Sequence, residues 1–132
     1  MEDLTMTTQP KPFTRILLTG AAGGLGQILR ETLQAHAHIV RASDISAMAP
    51  SAGEHDEVIQ CNLADKAAVA ALVDGVDAIV HLGGISVERP FEEILDANIR
   101  GTFHIYEAAR QQGVKRVVFA SSNHVTGFYP QD

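Results

Sequence analysis

Cysteine is nearly absent, with one in 132 residues, and there is no tryptophan. A single thiol, Cys61, cannot close an internal disulfide, so a reducing cytoplasm is the expected compartment. Basic residues are the minority, 10 against 16 acids, for a formal net charge of −6. No basic stripe follows any helix face, which argues against nucleic acid as a partner. Long apolar runs are missing, each being cut by glycine or charge, and nothing reaches the length needed to span a bilayer. Residues 1–12 have two early acids and no apolar stretch of the secretory kind, so they read as a disordered lead-in that ends at Pro10 and Pro12. Six histidines are present. His36 and His38 straddle a helix-to-strand junction and the rest are scattered, so no metal site is expected. The remainder, 45% hydrophobic and 20% charged, is ordinary for one globular domain over 13–132.

From residue 13 onward, strand-like and helix-like segments alternate. Short apolar runs at 15–19, 38–42, 58–59, 77–81 and 116–120 predict five strands. Leu25, Ile28, Leu29 and Leu33 share one helical face over 24–33. Asp65 caps a predicted helix from Lys66 to about Val73, and Pro90 opens a long helical stretch that Gly113 closes at Gln112. Within that stretch, Gly101 is either a break or a point of close packing. Residues 46–53 read as loop, with Pro50 and Gly53 as breakers. The order β-α-β-β-α-β-α-β implies an α/β fold, a doubly wound parallel sheet with helices on both faces (a Rossmann fold), ending after the fifth strand.

The first strand runs into Gly20-Ala-Ala-Gly23-Gly24-Leu25-Gly26. Glycines at this spacing, after a strand and opening an amphipathic helix, make the tight turn that brings backbone N–H groups and a helix N-terminus against a pyrophosphate. About twenty residues later, Asp44 ends the second strand. A carboxylate there accepts from both ribose hydroxyls of an adenosine and repels the extra phosphate of NADP, which favours NAD. Arg41, nearby, is the one basic group able to weaken that preference. At the later strand ends, Asn62 meets either an adenine edge or its own turn. The pair Gly83-Gly84 lets backbone run beside the cofactor and leaves Ser86 pointing onward. Ser121-Ser122-Asn123-His124 either orients a substrate oxygen or forms a serine-rich turn. Cys61 reads as a packed thiol, and Glu92 and Glu93 as acids complementing a helix dipole.

Taken together, Thr19-Gly20-x-x-Gly23-x-x-Gly26, Asp44, Asn62-Leu63, His81-Leu-Gly-Gly84, Asn98-x-x-Gly101-Thr102 and Ser121-Ser122-x-x-Val125-x-Gly127 resemble the extended short-chain dehydrogenase/reductase family. The resemblance covers nearly all of the chain from residue 13. It implies NAD held by Gly20, Gly23, Gly24, Leu25, Gly26, Asp44, Ile45, Asn62, Leu63, Leu82, Gly83 and Gly84. Within the family, the segments 19–26, 81–87, 90–95, 119–124 and 127–130 are most similar to members that oxidise D-galacturonate or D-glucuronate at the anomeric carbon. That likeness implies Ser122 as the catalytic serine and substrate contacts from Ser86, Asn98, Asn123 and His124. Most members carry an acid where this chain has Asn62, whose amide oxygen still accepts a hydrogen bond. Where epimerases usually show tyrosine, this chain has Thr126.

The family's chemistry also implies a tyrosine with a lysine four residues on, to take the hydroxyl proton. The two tyrosines are Tyr106, with Arg110 at the lysine position, and Tyr129. The chain therefore reads as an N-terminal fragment whose pair lies past Asp132, with little or no turnover of its own. An uncovered sheet edge is expected to favour homo-oligomers. Two other functions remain open at this level: a sugar-nucleotide epimerase or dehydratase of the same family, and a non-catalytic dinucleotide sensor.

Overall fold

Leu17 and Leu18 are neighbours on the first strand, β1 (Phe13–Thr19), and both are fully buried. Successive strand residues face opposite ways, so one residue pair requires two covered faces. The structure, a computed structural model, describes residues 10–127. The sheet holds β2 (Ala37–Asp44), β3 (Asp56–Gln60), β4 (Ala78–His81) and β5 (Arg116–Phe119) beside β1. The order is β3-β2-β1-β4-β5, and every pairing is parallel. This is the doubly wound arrangement expected from the alternation of elements. Most of the lead-in, residues 1–9, and the Phe128-Tyr129-Pro130 part of the family likeness lie outside the described residues.

On one face, Leu17 and Ile79 pack with Val69, Leu72 and Val73 of α2 (Lys66–Val73) and with Ile105, Ala108 and Ala109 of α4 (Gly101–Gln112). On the other, Leu18, Val40 and Ala42 meet Leu29 of α1 (Gly24–Thr32) and Leu33 just beyond it. Asp65 caps α2, its carboxylate accepting from Ala68 N at 3.0 Å. Gly113 ends α4 in the left-handed region at φ 72°. No helix enters between β2 and β3. The Arg30 guanidinium of α1 anchors that connection instead, donating to both carboxylate oxygens of Asp56 and to the carbonyls of Ala49 and Pro50.

The stretch expected as one helix from Pro90 to Gln112 is divided. It begins as α3 (Phe91–Ile94), widens into a π-helical turn (Leu95–Arg100) and only then becomes α4. Two tertiary contacts account for this. The Asn98 amide reaches out to the backbone of Ile85. At Gly101 a Cβ would stand 2.8 Å from the Leu63 Cβ, so the glycine marks close packing and not a break.

Candidate functional site

The sheet order places a switch point between β1 and β4, where the connections leave in opposite directions. In such sheets ligands sit beyond the carboxyl ends of the strands, at that point. Two connected hollows lie there. A cleft of about 150 Å³ is lined by Gly20, Asp44, Ile45, Asn62, Leu63, Gly83 and Gly84, with Thr19, Ser43, Cys61, Ile85 and Ala97. It opens into a groove of about 900 Å³ that runs past Gly23, Gly24, Leu25, Gly26 and Leu82 to Ser86, Asn98, Ser122 and His124. All twelve residues expected at the cofactor therefore border one continuous hollow. Among the expected substrate contacts, Ser86, Asn98 and His124 border it, and Asn123 is not among its lining residues.

The glycine loop owes its shape to contacts that exclude a side chain. Gly20 has φ 71°, and a Cβ there would lie 2.8 Å from the Leu82 carbonyl carbon. A Cβ on Gly26 would come within 2.2 Å of Gly20 O and 2.7 Å of Ala21 Cα. At Gly24 nothing lies within 4 Å, which leaves the helix mouth open on the groove. Helix α1 starts at Gly24, behind Gly23 as its N-cap, with neither a side-chain cap nor an acid in its first turn. Its leading N–H groups thus face the groove without a protein acceptor, the arrangement that suits an anion.

Asp44 ends β2 as expected. Its Oδ2 accepts from Ala22 N at 3.0 Å and its Oδ1 from Ser46 N at 2.9 Å. The carboxylate therefore braces the glycine loop while lining the cleft, and each oxygen retains lone pairs for a diol. Arg41 does not reach this region. Its guanidinium binds Glu57 at 2.6 Å and the carbonyls of Leu72 and Asp74 at 2.7 and 2.8 Å. The one basic group that could have favoured a 2′-phosphate is committed elsewhere.

Two expected ligand contacts have structural tasks. Asn62 Oδ1 accepts from Ala64 N at 2.9 Å, closing its own turn while the residue lines the cleft. Asn98 uses both ends of its amide on Ile85, accepting from Ile85 N at 2.7 Å and donating to Ile85 O at 2.9 Å. It thereby fixes the loop that carries Ser86 while bordering the groove itself. Ser122 accepts from His124 N at 3.1 Å, and its hydroxyl lies 3.2 Å from His124 Nδ1, so serine and imidazole stand together at the groove wall. Tyr106 lies edge-on to Phe119, with ring centroids 6.2 Å apart, and Arg110 is paired with Glu107.

Beneath the glycine loops is a polar group that reading the loops alone did not find. Thr19 and His81 are the last residues of β1 and β4, paired in register. Both are buried, His81 with no exposure at all. Burial pushes the imidazole down to about 4. The only signal in the sequence was their position, Thr19 one residue ahead of Gly20 and His81 two ahead of the Gly83-Gly84 pair. Among the described residues, no three His, Cys, Asp or Glu side chains gather as a metal site would require, and no helix is long and apolar enough to cross a membrane.

Comparison with known proteins agrees with this geometry. The model of the NAD dependent epimerase/dehydratase family matches residues 16–132. The chain belongs to this family. Its relatives include a uronate dehydrogenase of Pseudomonas syringae pv. tomato, 71% identical over 126 residues, or 96% of this chain and 46% of that protein. The crystal structure of a uronate dehydrogenase from Agrobacterium tumefaciens, as a mutant complexed with NAD, superposes with a TM-score of 0.85 at 57% identity, covering 89% of this chain and 44% of the other. A glucuronic acid dehydrogenase from Chromohalobacter salexigens gives a TM-score of 0.83 at 54% identity, covering 89% and 44%. The chain thus spans about half the length of these family members.

Proposed function

We propose that these residues, which cover 46% of the length of a uronate dehydrogenase relative, form the NAD-binding part of a protein that oxidises D-galacturonate or D-glucuronate at the anomeric carbon with NAD. The observation that carries the reading is the junction of the two hollows. A cleft bounded by Asp44 runs past an uncapped helix mouth and ends at Ser86, Ser122 and His124. That order matches adenosine, pyrophosphate and a reacting hydroxyl laid end to end. The 71% identity to a uronate dehydrogenase supports the substrate class.

In this reading the Asp44 oxygens accept from the adenosine ribose, and the N–H groups at the start of α1 hold the phosphates. Bound NAD supplies the acceptor for the hydride that leaves the anomeric carbon. Ser122 holds the reacting hydroxyl, so that loss of its proton and of the hydride converts the cyclic sugar acid to an aldarolactone. In this reading the base that receives the proton is supplied by the part of the relatives' length that these residues do not cover. No lysine or arginine lines the groove among the described residues. The single, buried Cys61 fits a reducing, cytoplasmic setting.

The test is an absorbance assay of the full-length protein with NAD and each uronate. NADH should form with at least one of them, and Ser122→Ala should lower kcat by about 100-fold or more. A full-length protein that binds NAD yet reduces none with either uronate contradicts the substrate assignment.

A further inference from the structure

His81 is the one buried imidazole for which the chemistry above has no use. It stands in a row across the carboxyl edge of the sheet, where register pairs Ser43 with Thr19, Thr19 with His81, and His81 with Phe119. The Phe119 ring stacks on the imidazole at 5.5 Å. His81 Nδ1 lies 2.6 Å from Thr19 Oγ1, and Nε2 lies 3.2 Å from Thr102 Oγ1 on α4. Thr19 Oγ1 also accepts from Gly83 N at 3.0 Å. Gly83 borders both hollows.

The proton positions follow from counting donors. Gly83 N–H can only donate, so Thr19 Oγ1 accepts it. The Thr19 hydroxyl is buried, and the one acceptor within reach of its own proton is His81 Nδ1. A buried hydroxyl left without an acceptor is costly. Nδ1 is therefore the accepting nitrogen of a neutral ring, and Nε2 carries the hydrogen and donates to Thr102. Every donor points the same way, from Gly83 through Thr19 and His81 to Thr102. Burial holds the ring's pKa low, which agrees with a neutral imidazole.

We propose that His81 is a positioning residue: as the Nε2–H tautomer it links α4 to the cofactor loop, Thr102 orienting the ring, the ring orienting the Thr19 hydroxyl, and that hydroxyl fixing Gly83 N–H beside the dinucleotide. The proposal rests on the NAD reading of the site. It assigns Thr102 an influence on NAD affinity that passes through the imidazole and Thr19.

Calorimetry on the full-length protein tests it, with NAD titrated in the absence of any sugar acid. Thr102→Val should weaken NAD roughly three- to tenfold, and Thr19→Val, which orphans Gly83 N–H, roughly tenfold or more. The double variant should bind no more weakly than Thr19→Val alone, because both cut the same chain. Multiplying losses would overturn the chain and leave two independent contacts. His81→Asn keeps an amide near the Nδ1 position and should retain more NAD affinity than His81→Gln, which reaches toward Thr102; equal losses would contradict the link through Thr19. This second pair stands even where Thr19→Val fails to fold. Long-range ¹H–¹⁵N spectra should show His81 as the Nε2–H tautomer from pH 6 to 8, and an Nδ1–H ring sinks the assignment. A wild-type protein that binds no NAD removes the functional reading itself. One that binds NAD, with variants that match it, removes only the positioning role.

Discussion

Gly26→Ala is expected to eliminate measurable NAD binding and to destabilise the fold by about 3 kcal/mol, the upper end for forcing one methyl into packed surroundings. The added carbon would lie 2.2 Å from Gly20 O and 2.7 Å from Ala21 Cα. Both are backbone atoms of the loop itself, so no side chain can swing away to make room. The strand-to-helix turn must open, and with it the N–H groups at the start of α1 lose their common direction. Gly24→Ala is the control, since nothing lies within 4 Å of a Cβ at that position inside the protein. It should fold normally, and any loss of affinity would then arise from crowding the ligand. Thermal melts and calorimetry on the two variants separate these effects. A Gly26→Ala protein as stable as wild type would contradict the close approach of α1 to the Gly20-Ala21 backbone.

The second large effect is on stability between pH 6.5 and 4. Burial holds His81 at about 4, against 6.5 for a free imidazole. In that interval the unfolded chain takes up a proton that the folded chain excludes. The contribution is therefore complete above pH 6.5, falls as the pH is lowered, and levels off below about 4. A displacement of this size corresponds to about 3 kcal/mol, an order-of-magnitude figure at 1.36 kcal/mol per unit. Asp56 and Glu57 are held below the usual carboxylate range, Asp56 chiefly by its bond to Arg30; burial opposes the shift at Glu57, and its bonds to Arg41 and Arg15 outweigh it. Their contributions are present above the ordinary carboxylate pKa and are lost on further acidification, so they act on the lower side of the histidine window. Denaturant melts at half-unit intervals should show a loss of stability beginning near pH 6.5, and His81→Asn should remove that upper portion. A stability profile that is flat from pH 7 to 5 in the wild type would mean the ring is not held neutral.

Much of this was legible in the sequence, for physical reasons that differ by element. Helix α2 runs from Lys66 to Val73 behind Asp65, as its cap and composition indicated. Short helices with a side-chain cap are decided locally, and so are turns such as the one at Gly113, where only glycine accepts the left-handed backbone comfortably. The parallel, doubly wound sheet followed from helical crossovers between short apolar runs. The glycine loop was legible because so tight a strand-to-helix turn excludes side chains at a fixed spacing, and Asp44 because it closes the apolar run of β2.

The parts that were not legible depend on partners distant in sequence. The π-helical turn at Leu95–Arg100 has no local signature. It arises where Asn98 reaches Ile85, 13 residues away, and where Gly101 meets Leu63. The same holds for the clamp that Asn98 places on the backbone of Ile85, which its motif did not announce. Arg41 looked close to Asp44 along the chain, yet three residues along a strand face opposite ways, and its partners lie on β3 and after α2. Thr19, His81 and Thr102 were visible as letters in a motif, but their contact needs β1, β4 and α4 assembled together.

The central claim is that an NAD molecule lies across the first loop, with its phosphates at the mouth of α1 and its ribose on Asp44. The most direct measurement is calorimetric titration of the full-length protein with NAD and with NADP, repeated on Asp44→Ala. The account predicts clear binding of NAD, binding of NADP weaker by about tenfold or more, and a variant in which that preference is largely lost as affinity for NAD falls. A folded protein that takes up neither dinucleotide, or that prefers NADP with Asp44 in place, would contradict it.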